Sequence, residues 1–310
     1  MERIELHVVD EERRMRLEDF LFRRFAALSR MYLREVIKTE KCEVNGRYEN
    51  RGYRLRANDF VEIVLDPRRE NSMRPENIPL TVIFEDDEIL VVHKPTGMLV
   101  HPTHRDRTGT LLNALTFHLN YHQTVKRDVC RQNGPIENNA HSHRSVIRPG
   151  LVHRLDKETS GLMVIAKNVR AHRILARQFQ SKTVTKKYLA LVGGEVRESS
   201  GEISEPIGRF ADRKFWDLKS DGKPALTRFK VKKRFPDATL LELEPVTGRT
   251  NQLRIHCRAI GHPVAGDIER SGPIAARLCL HAYALEFRHP KIGRQLRFES
   301  GGETDFSEFV

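Results

Sequence analysis

The sequence predicts an α+β protein with a small domain followed by a larger one. Short runs with strand-like alternation recur through residues 80–243, whereas only a few segments show helical spacing. A polar segment with two prolines, residues 66–77, shows no periodicity and is typical of a linker. The 310 residues suffice for one large and one small core. We therefore expect a first domain over residues 1–65 and a second over residues 78–297.

The first domain is predicted to contain two short helices and a small β element. Apolar residues recur at helical spacing and predict one buried stripe: Leu17, Phe20, Leu21, Phe25 and Leu28. Ser29 is expected to cap a second helix, because its hydroxyl can accept a hydrogen bond from the first turn. Asn45 and Gly46 indicate a tight hairpin turn, and residues 60–65 alternate in the manner of a strand.

Three cations of the second helix are predicted to form a basic ridge. Arg30, Arg34 and Lys38 lie at positions i, i+4 and i+8, so they share one helix face. Clustered cations of this kind favour a polyanionic partner such as RNA. A solvated helix face produces the same pattern, so the spacing alone leaves both interpretations open.

The second domain is predicted to be rich in strands. Strand-like runs cover residues 80–84, 89–92, 161–165, 188–192, 226–231 and 240–243, in a sheet that we expect to be largely antiparallel. Helical spacing is found at residues 110–119, 171–180 and 253–260. Residues 121–149 have little apolar periodicity and predict a long loop or insertion, either disordered or in contact with RNA. Residues 298–310 are acidic and predict a flexible tail.

Composition and charge narrow the classes of function. The net charge of +12 favours a nucleic acid as partner over an anionic membrane surface. No apolar run approaches the roughly 18 residues of a membrane span, and the charged N-terminus does not look like a secretory signal. The cysteines are scattered without a CxxC pair, which argues against disulfides or a zinc site and predicts a reducing cytoplasm: Cys42, Cys130, Cys257 and Cys279.

Residues 153–161, HRLDKETSG, are the strongest indication of chemistry in the chain. They place the carboxylate of Asp156 among basic groups, and the apolar run 162–165 follows directly. This pattern predicts a charged loop in front of a buried strand, with Asp156 at a cleft. The alternative is a surface aspartate that pairs with Arg154 or Lys157 and contributes little to stability. His141 and His143 have no third ligand at suitable spacing, so we expect no metal site.

Five blocks of sequence resemble motifs of the RluA-type pseudouridine synthases. They are KPTGMLVHP at residues 94–102, HRLDKETSGLMVIAKN at 153–168, SKTVTKKYLALVGG at 181–194, GRTNQLRIH at 248–256 and LHAYALEFRHP at 280–290. The blocks follow the order of the family, and the resemblance spans residues 78–290. It implies a mixed sheet with a central catalytic cleft and a reaction without a cofactor. Residues 1–65 resemble the S-four-type RNA-binding domain, which often precedes this catalytic domain.

The resemblance implies roles for four residues. Asp156 corresponds to the essential catalytic aspartate, and Arg254 to an arginine that pairs with it and holds it ionised. Tyr188, which we expect at the start of a strand, corresponds to a tyrosine that packs against the target base. Arg154 corresponds to an arginine that fills the space vacated by the unstacked uridine; a phosphate contact is the alternative. Asn251 stands where the family usually has histidine, which puts any role specific to that histidine in doubt.

These residues together predict an RNA pseudouridine synthase that uses no metal or cofactor and acts as a cytoplasmic monomer. Ribosomal RNA of the large subunit is the favoured substrate, and transfer RNA is the alternative. A protein that only binds RNA or assists ribosome assembly would keep the fold, yet it would not need Asp156, Tyr188 and Arg254 together. A glycoside hydrolase would need a second carboxylate such as Glu158, and the basic charge does not suit a neutral sugar.

Overall fold

The structure, a computed structural model, describes residues 1–25, 28–67, 74–103, 105–121, 147–210, 215–301 and 306. The chain forms two compact units, the first mainly of residues 1–75 and the second mainly of residues 76–103 and 109–301. Most of the predicted insertion, including His141, His143 and Cys130, lies outside the described residues, as does the middle of the predicted linker. Within the described residues, no helix is long and apolar enough to cross a membrane.

The first unit is a four-stranded antiparallel sheet packed against two helices. Its strands β1 (Glu2–His7), β2 (Cys42–Val44), β3 (Arg47–Tyr48) and β4 (Phe60–Leu65) lie in the order β1-β4-β2-β3. Helices α1 (Leu17–Arg24) and α2 (Arg30–Lys38) contribute apolar side chains to the same core as β4. The core therefore forms between the predicted helical stripe and the inward-facing residues of the sheet.

Local signals in the sequence explain where these elements begin and turn. The hydroxyl of Ser29 accepts a hydrogen bond from the backbone N–H of Tyr32 at 3.2 Å and so caps α2, as expected. Asn45 and Gly46 have φ values of 51° and 74°, which suits the two-residue turn between β2 and β3. Both predictions of local structure are confirmed.

The cations of the predicted α2 ridge are partly neutralised by α1. Nε of Arg34 donates a hydrogen bond to the carboxylate of Glu18 at 2.7 Å. Nη1 of Arg30 lies 3.3 Å from Oδ1 of Asp19. Lys38 is exposed. The helical spacing of the cations was therefore a sound prediction, but it could not show that carboxylates of a neighbouring helix would reach two of them.

The second unit is built on a large mixed sheet, in which ten of the described strands take part. The order is β10-β13-β14-β9-β15-β8-β6-β5, with β16 beside β15 and β7 beside β8. Its strands are β5 (Thr81–Glu85), β6 (Ile89–Lys94), β7 (Gly150–Leu151), β8 (Ser160–Ala166), β9 (Thr185–Gly193), β10 (Ser200–Ile203), β13 (Thr227–Arg234), β14 (Ala238–Pro245), β15 (Leu280–Arg288) and β16 (Gln295–Glu299). These neighbours pair antiparallel except β8 with β15. The α+β class and the largely antiparallel sheet are confirmed.

The remaining elements of this unit flank the sheet. The described part of the unit has three α-helices: α3 (Leu111–Asn120), α4 (Val169–Gln180) and α5 (Gln252–Ala259). Each begins and ends within two residues of the corresponding predicted helical segment. A separate hairpin joins β11 (Ile207–Phe210) to β12 (Phe215–Leu218). Asn168 caps α4 by accepting a hydrogen bond from the backbone N–H of Ala171 at 2.8 Å.

Strand β8 is central to the second unit because both of its faces are buried. All seven of its residues are buried. Leu162 and Val164 pack into one apolar cluster, whereas Met163 and Ile165 pack into another. A continuous apolar run is the expected signature of such a strand. The loop that precedes it, residues 152–159, is therefore anchored to the most buried part of the sheet.

The C-terminal segment differs from the predicted flexible tail. Strand β16 continues to Glu299 and pairs with β15, so the tail cannot begin at Phe298. Phe306 is only 2% exposed and packs in an apolar cluster of the second unit. The rest of the predicted tail, residues 302–305 and 307–310, lies outside the described residues.

Candidate active site

The four residues singled out in the sequence line one cleft of the second unit. Arg154, Asp156, Tyr188 and Arg254 all contribute to its walls, and the cleft has a volume of about 520 Å³. Three segments form most of the lining: the Asp156 loop (residues 152–159), the part of the chain that leads into β9, and the loop before α5. The structure therefore brings together residues that lie about a hundred positions apart in the sequence.

The buried side chain of Lys94 holds the Asp156 loop in place. Its fully buried ammonium donates hydrogen bonds to the carbonyl oxygens of Pro95, Met98 and Lys157, at 2.7, 2.9 and 3.0 Å. The last of these bonds ties the end of β6 to the residue directly after Asp156. Burial lowers the pKa of Lys94 to about 8, and the carboxylates of Glu158 and Asp156 oppose this shift.

Two further hydrogen bonds close the Asp156 loop. The backbone N–H of Thr159 donates to the carbonyl oxygen of Asp156 at 3.1 Å, which closes a turn. The hydroxyl of Thr96 donates to the carbonyl oxygen of Glu158 at 2.8 Å. The KPTG block therefore positions the HRLD block. The sequence motif contains Lys94 but did not reveal this structural role of its ammonium group.

Asp156 is half-buried, and its carboxylate accepts no hydrogen bond from the described residues. Burial raises its pKa, while the positive charges of Arg154, Arg254, Arg270 and Lys94 oppose that increase. The sequence led us to expect that a neighbouring arginine would favour the ionised carboxylate despite burial. The arginines do act in that direction, but loss of water outweighs the four cations, so the net shift of the pKa is upward.

Arg254 does not form the expected ion pair with Asp156. Its guanidinium instead makes a bidentate contact with Asp267, with Nε to Oδ2 at 2.7 Å and Nη2 to Oδ1 at 2.6 Å. It also donates to Glu269 at 2.9 Å and to Asn251 at 3.3 Å. Asp267 lies thirteen residues after Arg254 and is buried. Arg254 therefore pairs with a carboxylate that is shielded from water. Arg254 acts on Asp156 through its charge rather than through contact.

Tyr188 lies within β9 and not at its start, because the strand begins three residues earlier at Thr185. Its backbone pairs with Ala282 of β15 and Leu243 of β14, and its ring packs against two apolar clusters. Burial raises the pKa of the Tyr188 hydroxyl, and the charge of Asp156 adds to that effect. The hydroxyl is therefore protonated at neutral pH and can donate a hydrogen bond into the cleft.

Arg154 and Asn251 complete the polar part of the cleft. Arg154 is exposed and makes no ion pair with a carboxylate of the described residues, so its guanidinium can reach a bound molecule. Asn251 adopts the left-handed conformation with φ of 54° directly before α5, a conformation that asparagine tolerates better than most residues. Its side-chain oxygen accepts from Arg254, so it helps to orient that guanidinium.

The chemistry of the cleft is set by the side chains that line it. Within the residues that the structure describes, no group of three or more His, Cys, Asp or Glu side chains could hold a metal ion. The cleft combines one poorly solvated carboxylate, several cations and a half-buried tyrosine. Such a set can bind an anionic molecule and present a carboxylate to an electrophilic carbon or to a proton.

Comparisons with known proteins point to one family. Residues 88–259 match the family model described as RNA pseudouridylate synthase. An uncharacterized RNA pseudouridine synthase of Bacillus subtilis is 37% identical over 100% of this chain and 98% of its own length. A protein of Nitrosomonas europaea named ribosomal large subunit pseudouridine synthase D is 36% identical over 96% of this chain and 84% of its own length. The solved structure of human RNA pseudouridylate synthase domain containing 1 covers 73% of this chain and 84% of its own, with 26% identity and a TM-score of 0.51.

Proposed function

The chain belongs to the RNA pseudouridylate synthase family and is an RNA pseudouridine synthase, and we propose that it acts on large-subunit ribosomal RNA with Asp156 as its catalytic residue. One observation carries the assignment of Asp156. Its carboxylate stands in the cleft without a hydrogen-bond partner among the described residues, surrounded by cations. Names of several relatives support the choice of RNA, including those from Nitrosomonas europaea and Vibrio vulnificus.

The reaction fixes what the cleft must do. The bond from nitrogen 1 of uracil to carbon 1 of the ribose breaks, the base turns, and carbon 5 joins the same sugar carbon. A proton leaves carbon 5, and a proton is taken up at nitrogen 1. The carboxylate of Asp156 serves as nucleophile or base in this sequence, at the sugar or at the ring. It must be ionised for either task, which is why the surrounding cations matter.

The other cleft residues bind and orient the uridine in this proposal. Arg154, exposed at the cleft, fills the space that the uridine leaves in the RNA stack. The ring of Tyr188 forms a platform for the base, and its protonated hydroxyl donates to the base or the sugar. Arg254, held by Asp267, supplies a fixed positive charge near Asp156.

We further propose that the first unit binds RNA. Its two helices on a small antiparallel sheet support the S-four-type interpretation of residues 1–65. Action as a monomer in the cytoplasm stays a prediction from the sequence.

The choice of RNA can be tested with the purified protein. Large-subunit ribosomal RNA and transfer RNA transcripts, both free of modification and labelled with tritium at carbon 5 of uridine, are incubated separately with enzyme. Isomerisation releases the tritium, so its appearance in water measures turnover. We expect release from the ribosomal transcript at a rate at least about a hundredfold above that from transfer RNA. Faster release from transfer RNA would overturn the proposed substrate and leave the chemistry intact.

The pH dependence of kcat/KM tests the electrostatics of Asp156. Activity should fall on the acid side as pH drops through the pKa of Asp156, which burial raises above its ordinary value. Arg270→Gln removes one of the cations that oppose this shift, so the acid limb should move to higher pH. Arg258→Gln is the matched control. Arg258 holds Asp217 of β12 at 2.7 Å, and Arg270 holds the neighbouring Trp216 through its carbonyl oxygen.

The control separates electrostatics from anchoring of the β11–β12 hairpin. Arg258 is not among the cations that act most strongly on Asp156, so its removal should leave the acid limb nearly in place. Equal shifts in Arg258→Gln and Arg270→Gln would show that the hairpin contact, and not the charge of Arg270, sets the profile.

A further inference from the structure

Four arginines of the first unit line one concave surface. Arg13 and Arg14 come from the turn before α1, and Arg54 and Arg56 come from the loop that leads into β4. Together with Leu55 and Ala57 they enclose a volume of about 410 Å³, called here the arginine pocket. All four arginines are exposed. None of them belongs to the predicted ridge on α2.

The arginine pocket differs from the α2 ridge in its lack of counter-charges. Within the described residues, its arginines form no ion pair with a carboxylate, whereas Arg30 and Arg34 each have a carboxylate partner on α1. Guanidinium groups gathered on one surface repel each other, and the repulsion is relieved only by an anion from outside. All four cations of the pocket therefore lack a carboxylate partner among the described residues, whereas two of the three ridge cations have one.

The backbone holds the two halves of the pocket together. The N–H of Arg14 donates to the carbonyl oxygen of Leu55 at 2.8 Å, and the N–H of Leu55 donates to the carbonyl oxygen of Met15 at 3.0 Å. The guanidinium of Arg54 donates to the carbonyl oxygen of Arg14 at 3.1 Å. Leu55 itself is buried in the core of the unit. The pocket is thus a fixed feature of the folded unit, and its cations need little rearrangement to meet a ligand.

We propose that the arginine pocket binds phosphate groups of the RNA backbone, without regard to base sequence. Guanidinium groups match the geometry of phosphate oxygens and form bidentate hydrogen bonds with them. The pocket has no aromatic residue in its described lining, so it offers no platform on which a base could stack. Phosphate contacts of this kind position an RNA and leave the choice of uridine to the cleft of the second unit. The inference rests on the proposed RNA-binding role of the first unit.

The test compares two double variants of the full chain that lose the same charge. Arg13→Gln/Arg56→Gln removes two pocket cations whose side chains make no hydrogen bond among the described residues, so the fold should persist. Arg30→Gln/Arg34→Gln removes the two paired cations of the ridge. Binding of a large-subunit ribosomal RNA transcript, and of an unrelated transcript of equal length, is measured from 50 to 300 mM salt.

We expect the pocket variant to bind both transcripts at least about tenfold more weakly at 0.1 M salt, with a salt slope shallower by about one to two. The ridge variant should change the slope by less than about 0.5, because its cations are already paired. Arg13→Lys/Arg56→Lys keeps the charge and should retain most of the slope, which separates loss of charge from loss of fold. Equal slopes for the two glutamine variants, or a wild-type slope for the pocket variant, would overturn the proposal. Binding is the readout, so failure of the proposed substrate or of Asp156 leaves this test valid.

Discussion

Replacing Asp156 by asparagine is expected to lower the rate of pseudouridine formation by more than about 10⁴-fold while RNA binding is retained. Asparagine has nearly the same shape, but it is neither a nucleophile nor a base at neutral pH. The substitution also removes a negative charge from a site crowded by Arg154, Arg254, Arg270 and Lys94, so affinity for anionic RNA should stay within about threefold or increase. Tritium release at saturating RNA measures the rate, and filter binding measures the affinity.

Glu158→Gln provides the matched control for this prediction. Glu158 lies on the same loop and is exposed, and its backbone carbonyl oxygen, not its carboxylate, is held by Thr96. We expect the Glu158 variant to keep most of the wild-type rate. A large loss in both variants would point to a pair of carboxylates, as glycoside hydrolysis requires. A normal rate in Asp156→Asn would remove this residue from the mechanism.

Gly161→Ala is expected to destabilise the second unit by more than about 4 kcal/mol. Gly161 is the second residue of strand β8 and has a φ of 125°, a region that is closed to residues with a Cβ atom. An added Cβ would lie 2.3 Å from the carbonyl oxygen and 2.6 Å from the nitrogen of Ala282 in β15. The clash is with backbone atoms of β15, across the single parallel pairing among the described strands, so it cannot be relieved by a side-chain rotation.

Gly97→Ala isolates the conformational part of this cost. Gly97 also has a positive φ, 76°, but an added Cβ would meet no atom within 4 Å. Its replacement should cost about 1 kcal/mol. The chain contains one tryptophan, Trp216, and it lies in the second unit, so its fluorescence in urea follows that unit alone. Equal destabilisation by the two substitutions would show that the approach of β8 to β15 is not as tight as the structure indicates.

The sequence was informative about the fold wherever the signal is local. The cap at Ser29, the turn at Asn45 and Gly46, and the continuous apolar run of β8 each depend on neighbours within a few residues, and each was predicted. The order of strands in the large sheet depends on pairings between distant segments, such as β15 with β8. No periodicity in a single sequence encodes such a pairing, so the arrangement of strands and loops around the cleft came only from the resemblance and the structure.

At the candidate site, too, the sequence predicted which residues take part but not the contacts that they make. The resemblance of three sequence blocks to family motifs predicted one site for four residues, and the structure has all four in one cleft: Arg154, Asp156, Tyr188 and Arg254. It could not show that Asp267 holds Arg254, because the choice between two carboxylates depends on their burial.

Other electrostatic features were equally hidden from the sequence. At Asp156, the effect of burial on the pKa outweighs the charges of cations from distant parts of the chain, such as Lys94 and Arg254. The pairing of Arg30 and Arg34 with α1 depends on how two helices pack. In each of these cases, the unpredicted quantity is a balance of charges across the tertiary structure rather than a property of a local pattern.

Mapping pseudouridines in large-subunit ribosomal RNA, by carbodiimide labelling and primer extension, tests most directly whether this chain modifies that RNA. RNA is compared from cells that contain the protein, cells that lack it, and deletion cells that carry either wild type or Asp156→Asn. We expect specific stops in the large-subunit RNA to vanish on deletion, to return with the wild type, and to stay absent with the variant. If no ribosomal stop vanished on deletion, or if the stops that vanish returned with Asp156→Asn, the result would contradict the proposed role of Asp156 in modifying this RNA.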